Sequence, residues 1–565
     1  MPRKTGVQPA DVDHAGMDEN GSRMLSKPQS WYQQTIVDLF RHLRWSFLPP
    51  LMVYFAAGIS GLTAIVGTFF VKEYLGLSAA FLAGLGFWAG IPWALKMPLG
   101  HLVDLAWRWK AWLVYLGAML IAASLLIMYG LIVHTAAMRS VLSAEAWFVI
   151  SSLLSPAGYV VQDTVADAMS VEAVPRTRES GQLLSDDETK NLHTTMQTLG
   201  RIALIGGLVF VSLLNIVMFS GVESLDQAAK AQVYARIYLL ALAIPAVSVS
   251  GVILSQILLA ARARDLRAKG MREDEIDRLV YAPAEPTEAN YWMFGGGAAF
   301  VALTLLIGLS EIPLGQEIVF VGSMAIVLAL MYQLIKRLEI AKAYVLIGTA
   351  VIIFVFRAVP LPGAGATWFA IDQLKFDQQF LSVLSLIGSC LTLLGMVLLR
   401  PLIAHRSIAA IVIGLTVASG VLALPNIALF YDVQAWTARY TGGIVDARFI
   451  AVIDTTLESP LGQIAMIPLL TWIARNAPPD LKATFFAVMA SFTNLALSAS
   501  SLFTKYMNEI FVVTREVRNR ATGVIEVPAD YSKLGLLLIT VAIVGAVAPL
   551  LTVALVQRSR LHTND

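Results

Sequence analysis

Fourteen apolar runs, each close to the roughly 20 residues that a bilayer-spanning helix needs, leave this chain little choice of fold but a polytopic helical membrane protein. The first six fall near 48–71, 77–99, 110–133, 146–171, 193–219 and 233–260. A charged stretch, ARARDLRAKGMREDEIDRLVYAPAEPTEAN, separates them from two runs near 291–310 and 317–335. The last six fall near 343–370, 379–399, 407–424, 446–473, 484–509 and 534–557. The expected fold is all-α with 6+2+6 spans. Its parts are a polar tail at 1–46, a six-helix bundle at 47–260, a linker at 261–290, an inserted two-helix hairpin at 291–336, a second six-helix bundle at 337–558 and a short tail at 559–565.

Composition narrows the function. With 57% hydrophobic and 14% charged residues, the chain is too apolar for an ordinary soluble enzyme. A net charge of +2, with basic residues spread over many loops, gives nucleic acid nothing to grip. Cys390 is the one cysteine, which rules out an intrachain disulfide and a cysteine metal site. No HExxH, GxSxG or Cys/His cluster points to an enzyme, a metal or a cofactor, and no repeated filter-like loop points to a channel.

Orientation follows from the lysines and arginines, which favour cytoplasmic loops. Placing the N-terminus inside puts about 26 of them on inner segments and about 11 on outer ones. Both termini are then expected in the cytoplasm, with the chain in the cell (inner) membrane. Segment 264–280 reads as a basic amphipathic helix at the inner surface, and the inserted hairpin, with Glu311 and Glu317 only at its turn, reads as peripheral. Two six-helix bundles joined by a long linker suggest the major facilitator architecture, whose halves rock about a midplane site.

Several motifs carry a more specific resemblance. The first two spans contain a Gly-rich stretch, an LGLS step and a Pro-Trp-x-x-Lys element followed by Gly and Asp: Pro92, Trp93, Lys96, Gly100 and Asp104. The stretch YVVQDTVADAMSVEAV holds Asp163, Asp167 and Glu172, and QTLGRIALIGG holds Gly200 and Arg201. Further on come FRAVPLPGAGATWFAIDQLKF and IPLLTWIARNAPPDLKATFFAVMASFTNLA. Together these resemble the folate-biopterin transporter family (BT1-type) of the major facilitator superfamily. The resemblance implies a secondary active transporter or symporter for a small organic, anionic solute, acting as a monomer in the lipid bilayer, with protons as a possible partner. A muropeptide permease, and a non-transporting assembly or pigment-delivery factor on the same fold, remain open alternatives.

Charges inside spans mark candidate sites, since each costs about 2.5–3.5 kcal/mol near the bilayer centre. In the implied fold, helices 1, 4, 7 and 10 of the core twelve face the cavity. Asp163 and Asp167 lie on helix 4, Arg201 on helix 5, Arg357 on helix 7, and Asp454 and Glu458 on helix 10. At 1.5 Å per residue, Asp163 and Arg201 both lie about 12–14 Å from the inner face and can pair. Either that pair braces helices 4 and 5, or one of the acids carries a proton; Asp167, with no partner at its level, is the better proton candidate. Arg357, just before Pro360 and Pro362, is the candidate anchor for a substrate anion, with Glu458 as its alternative partner, and Arg201 and Asp454 join the substrate set. Gly100, Asp104 and Arg108, with Lys96, resemble an inner-loop gate in which Asp104 accepts from a facing helix N-terminus.

Overall fold

Helix-capping residues stand where the apolar runs begin, and the computed structural model uses them. It describes residues 44–175, 184–282, 291–310, 312–336, 338–398, 407–458, 482–518 and 524–562. Ser78, Ser143, Asp226 and Ser407 each accept a bond from the backbone N–H three residues on. Ser185 and Glu188 form a reciprocal capping box. The helices that follow are α1 (Trp45–Tyr74), α2 (Ala79–Leu105), α3 (Trp107–Val133), α4 (Ala144–Ala173), α5 (Asp186–Met218) and α6 (Gln227–Ala268). The inserted pair is α7 (Tyr291–Gly308) and α8 (Gly315–Ile335). The second half comprises α9 (Ile340–Ala358), α10 (Gln378–Leu398), α11 (Ile408–Phe430), α12 (Ala447–Glu458), α13 (Lys482–Ile510) and α14 (Leu534–Arg558).

Among the described residues, 12 helices are long and apolar enough to cross a membrane. α13 is a 29-residue helix interspersed with Ser, Thr and Asn. The remainder of the run expected at 446–473 lies outside the described residues, as does nearly all of the tail at 1–46.

Two local features shape the site. α2 breaks at Leu95 into Ala79–Ala94 and Lys96–Leu105. Pro98 has no N–H to give to the Ala94 carbonyl, so the ladder fails there and the chain bends with Lys96 at the corner. Glycines bring neighbouring helices close: a Cβ on Gly117 of α3 would lie 2.7 Å from the Gly158 carbonyl of α4, and one on Gly207 of α5 would lie 2.8 Å from Gly58 of α1.

The halves meet where α2 packs on α13 and α5 packs on α10. The hairpin lies along the first of these seams. α7 runs antiparallel alongside α2, with Gly297 against Pro98 and Gly308 against Trp88, while Gln316 of α8 donates to the Gly84 carbonyl at 3.1 Å. On the α13 side, Glu317 accepts from Tyr506 and lies 3.6 Å from Lys505. Met293, Phe300, Val319, Val327 and Met331 share one buried cluster with α2, α9 and α13.

Beyond α6 the structure departs from a surface-lying helix at 264–280. α6 runs on to Ala268, Gly270 reverses the chain at φ 80°, and a short helix, Glu273–Ile276, folds back on it. Ile276 and Val280 are buried against Ala263, and Arg267 pairs with Glu273. The apolar stripe is thus covered by the chain itself.

Candidate functional site

The bend in α2 delivers Lys96 between the two helix-4 carboxylates. Its Nζ lies 2.5 Å from Asp163 Oδ2 and 2.7 Å from Asp167 Oδ2. From α1, Tyr54 Oη donates to Asp167 Oδ1 at 2.6 Å. The ring of Tyr54 rests on Gly200 of α5, where a Cβ would stand 2.9 Å from it. Next to it, Ser170 Oγ donates to the Asp167 carbonyl at 2.7 Å and accepts from Gln197 Nε2 at 3.2 Å. Four helices therefore converge on two acids that share one ammonium. Gln162, beside Asp163, fixes the azimuth of α4: its amide donates to the Val114 carbonyl of α3 at 3.3 Å and accepts from Ser248 of α6 at 3.0 Å.

The expected Asp163–Arg201 pair does not form. Equal depth along two helices fixes height but not rotation, and Lys96, counted in the sequence only as a gating residue, takes the position between the acids. Nor is Asp167 without a partner at its level, since Lys96 and Tyr54 both reach it.

Arg201 turns instead into a cavity of about 390 Å³ between the halves. Its walls are Arg201, Leu204, Ile205 and Leu208 of α5, Leu384, Ser385, Gly388, Ser389 and Thr392 of α10, and Thr455 of α12. One guanidinium thus faces hydroxyls across a gap between two helical halves. Ser212 of α5 and Ser385 of α10 share a hydrogen bond of 2.9 Å across the same interface.

The other candidates are dispersed. Arg357 is half-buried in the last turn of α9. Asp454 is buried and accepts from Asn426 of α11 at 2.8 Å, while its neighbour Thr455 faces the cavity. Glu458 ends α12, and its side chain lies outside the described residues, so the Arg357–Glu458 alternative does too. Gly100 faces Thr164 across the α2–α4 contact. Asp104 is half-buried and accepts no hydrogen bond from a facing helix among the described residues. Arg108 makes an exposed 3.6 Å contact with Asp277, whereas Lys110 pairs with Glu172 at 2.8 Å and stacks over Trp107. Among the described residues no three metal-ligating side chains gather.

On the other face, a second charged cluster joins the halves. Lys72, at the end of α1, pairs with Asp372 at 2.5 Å; Asp372 closes a short helix, Ala364–Asp372, that follows α9. Tyr531, in the α13–α14 connection, donates to Asp372 at 2.6 Å. Arg515 of that connection, 4% exposed, caps the end of α1 by donating to the carbonyls of Lys72 and Leu75, and its guanidinium lies over Trp368. Burial pushes the Tyr531 phenol up from its ordinary value and pulls the Arg515 guanidinium down, an effect that Asp372 opposes. Asp372 and Trp368 belong to the FRAVPLPGAGATWFAIDQLKF stretch, but the sequence marks none of these residues as a site, because Lys72, Asp372, Arg515 and Tyr531 are charges or a phenol near span ends.

A model of the BT1 family matches residues 57–564. The chain belongs to the BT1 family. It is 24% identical over 477 residues to the folate-biopterin transporter of Synechocystis sp. (strain ATCC 27184 / PCC 6803 / Kazusa), covering 84% of this chain and 76% of that protein. Among solved structures, a POT family transporter in complex with 5-aminolevulinic acid superposes with a TM-score of 0.57 at 12% identity, over 92% of this chain and 96% of that one. A mutant of the nucleoside transporter NupG does so with a TM-score of 0.53 at 12% identity, over 90% and 99%. These likenesses give the fold, that of major facilitator transporters. The BT1 protein is a multi-pass membrane protein and a secondary transporter.

Proposed function

We propose that this BT1 protein carries a small folate- or pterin-like organic anion by alternating access, as a proton-coupled monomer in the cell membrane with both termini in the cytoplasm. The observation that carries the reading is Arg201, exposed in the cavity between the halves and opposed by Ser385, Ser389, Thr392 and Thr455. A guanidinium offers a planar fork to a carboxylate, and hydroxyls can donate to or accept from a heterocycle's edge. Arg357, on core helix 7, is assigned as a second cation for the substrate's charge, with Asp454 and Glu458 as groups of core helix 10 that orient the site. Beside the cavity, two carboxylates sharing Lys96 leave one negative charge in excess, which a proton can neutralise. The name of the Synechocystis relative supports the substrate class.

The test uses purified protein in proteoliposomes and compares folate with an uncharged pterin. Arg201→Lys keeps the positive charge but loses the fork. Folate affinity should fall roughly ten- to hundredfold, as expected for a charge-assisted bond of about 1.5–3 kcal/mol, while pterin affinity changes little. Unchanged folate binding by Arg201→Lys would remove Arg201 from the binding site.

A further inference from the structure

Tyr54 belongs to the acid cluster, yet neither cargo nor charge balance accounts for it. Its phenol comes from α1, crosses to α4 and donates to Asp167 Oδ1 at 2.6 Å. The ring can do so because position 200 on α5 is glycine; a Cβ there would stand 2.9 Å from two ring carbons. The hydroxyl of Ser170, itself bonded by Gln197 of α5, is also within reach of the phenol oxygen. The groups facing Asp167 are thus Lys96 from α2, Asp163 from its own helix and Tyr54 from α1, with Arg201 of α5 adding to the field at Asp163.

We propose that Tyr54 is a positioning residue of the proton site, holding ionised Asp167 to α1 and loosening that hold when a proton binds. The inference rests on the proton-coupled reading above. An ionised carboxylate only accepts hydrogen bonds, so Oδ1 takes the phenol hydrogen. When a proton binds Oδ1, an O–H forms there, and two hydrogens cannot occupy one O···O contact. The phenol hydrogen turns toward Ser170, or the contact opens. In the first case Oδ1–H donates back to the phenol oxygen in a weaker, neutral bond, and in the second the bond is gone; either way the charge-assisted tie between α1 and α4 is weakened or lost, and α1 lies in the half that also packs on α10. Protonation is thereby read as a change in helix contact rather than in charge alone.

The experiment follows the protonated-carboxyl infrared band of protein in liposomes as pH is varied, together with the pH profile of uptake. Asp167→Asn identifies the Asp167 contribution to the band. In Tyr54→Phe the carboxylate loses a donor that favours its charged form, so the Asp167 midpoint should rise by about one pH unit, tenfold in proton affinity. The uptake profile should move with it. Gly200→Ala, which retains the hydroxyl but displaces the ring, should shift both in the same direction. A purely structural role would lower the melting temperature and leave the midpoint in place. If wild-type protein shows an Asp167 titration and a gradient-dependent profile but Tyr54→Phe overlays both, Tyr54 is overturned alone. If wild-type uptake ignores the proton gradient, the proton reading falls and this inference with it.

Discussion

The two charged clusters differ in what they connect. Lys96 with Asp163 and Asp167, and Lys110 with Glu172, join helices of the first half only. The Lys72–Asp372 pair and the two bonds from Arg515 to the end of α1 tie the first half to the second, while Tyr531 holds Asp372 from within the second half. A motion that rocks one half against the other leaves the first cluster whole but must break the second each time that face opens. The first can therefore be as strong as stability demands, whereas the second has to be reversible. Its chemistry suits that demand: Lys72 and Asp372 keep 17% and 26% side-chain exposure, so water can replace each partner. In this structure the face carrying the α13–α14 connection is bridged across the halves by these bonds.

Lys96 carries the heaviest burden in the first cluster. Lys96→Met leaves two carboxylates side by side without their cation. Removing one partner of a buried pair costs about 3–5 kcal/mol, and the 44% exposure of Asp167 places this case toward the lower end. Adding Asp163→Asn should recover much of the loss in a thermal melt, and spin-label distances across the far face should not change. A Lys96→Met protein as stable as wild type would remove the cluster from the architecture.

Arg515→Gln acts on the second cluster. It removes two bonds from the capped end of α1 and the stacking over Trp368, each charge-assisted bond being worth about 1.5–3 kcal/mol before water replaces it. The expected outcome is a shift of spin-label distances between α1 and α9 toward the open state, with only a modest fall in melting temperature. Asp372→Asn should act in the same direction but less, by roughly a factor of ten in the open-to-closed ratio, because its partners are more exposed. An unchanged distance distribution in both variants would mean that the second cluster does not hold that face.

Much of the fold was legible in the sequence, and the reason is physical. A span has to be apolar over about 20 residues, and Ser78, Ser143, Ser185, Asp226 and Ser407 announce helix starts by chemistry that depends on a few adjacent residues. Asp163, Asp167 and Arg201 were legible as well, because a charge in such a run has to be explained. Their partners were not. Helical rise gives depth, but rotation about the axis depends on Gln162, Gly158 and Gly117, and the position of Lys96 depends on a helix break that Pro98 causes. Tyr54 reads as filler in an apolar run until Gly200 is placed opposite it. The second cluster was hidden for another reason: Arg515 and Lys72 stand 443 residues apart, and nothing local in either marks the other.

Asp163 and Arg201 are a pair that depth alone would join. If Asp163 and Arg201 braced α4 against α5, Asp163→Asn and Arg201→Gln would be strongly non-additive, with the double variant recovering stability that each single one loses. Here Asp163 is held by Lys96, and Arg201 is exposed in the cavity, adding only a longer-range field at Asp163. The two changes should therefore be close to additive in melting experiments, with a coupling below about 0.5 kcal/mol. Asp163→Asn with Lys96→Met, measured on the same footing, should give a coupling several times larger. The affinity readout separates the roles further: Arg201→Gln should weaken binding of a carboxylate-bearing substrate with little change in melting temperature, while Asp163→Asn should move the melting temperature more than the affinity. Strong coupling between Asp163 and Arg201 would mean that the cation in the cavity also serves as the brace, and that the division between a cluster built for stability and a guanidinium left free for cargo is wrong.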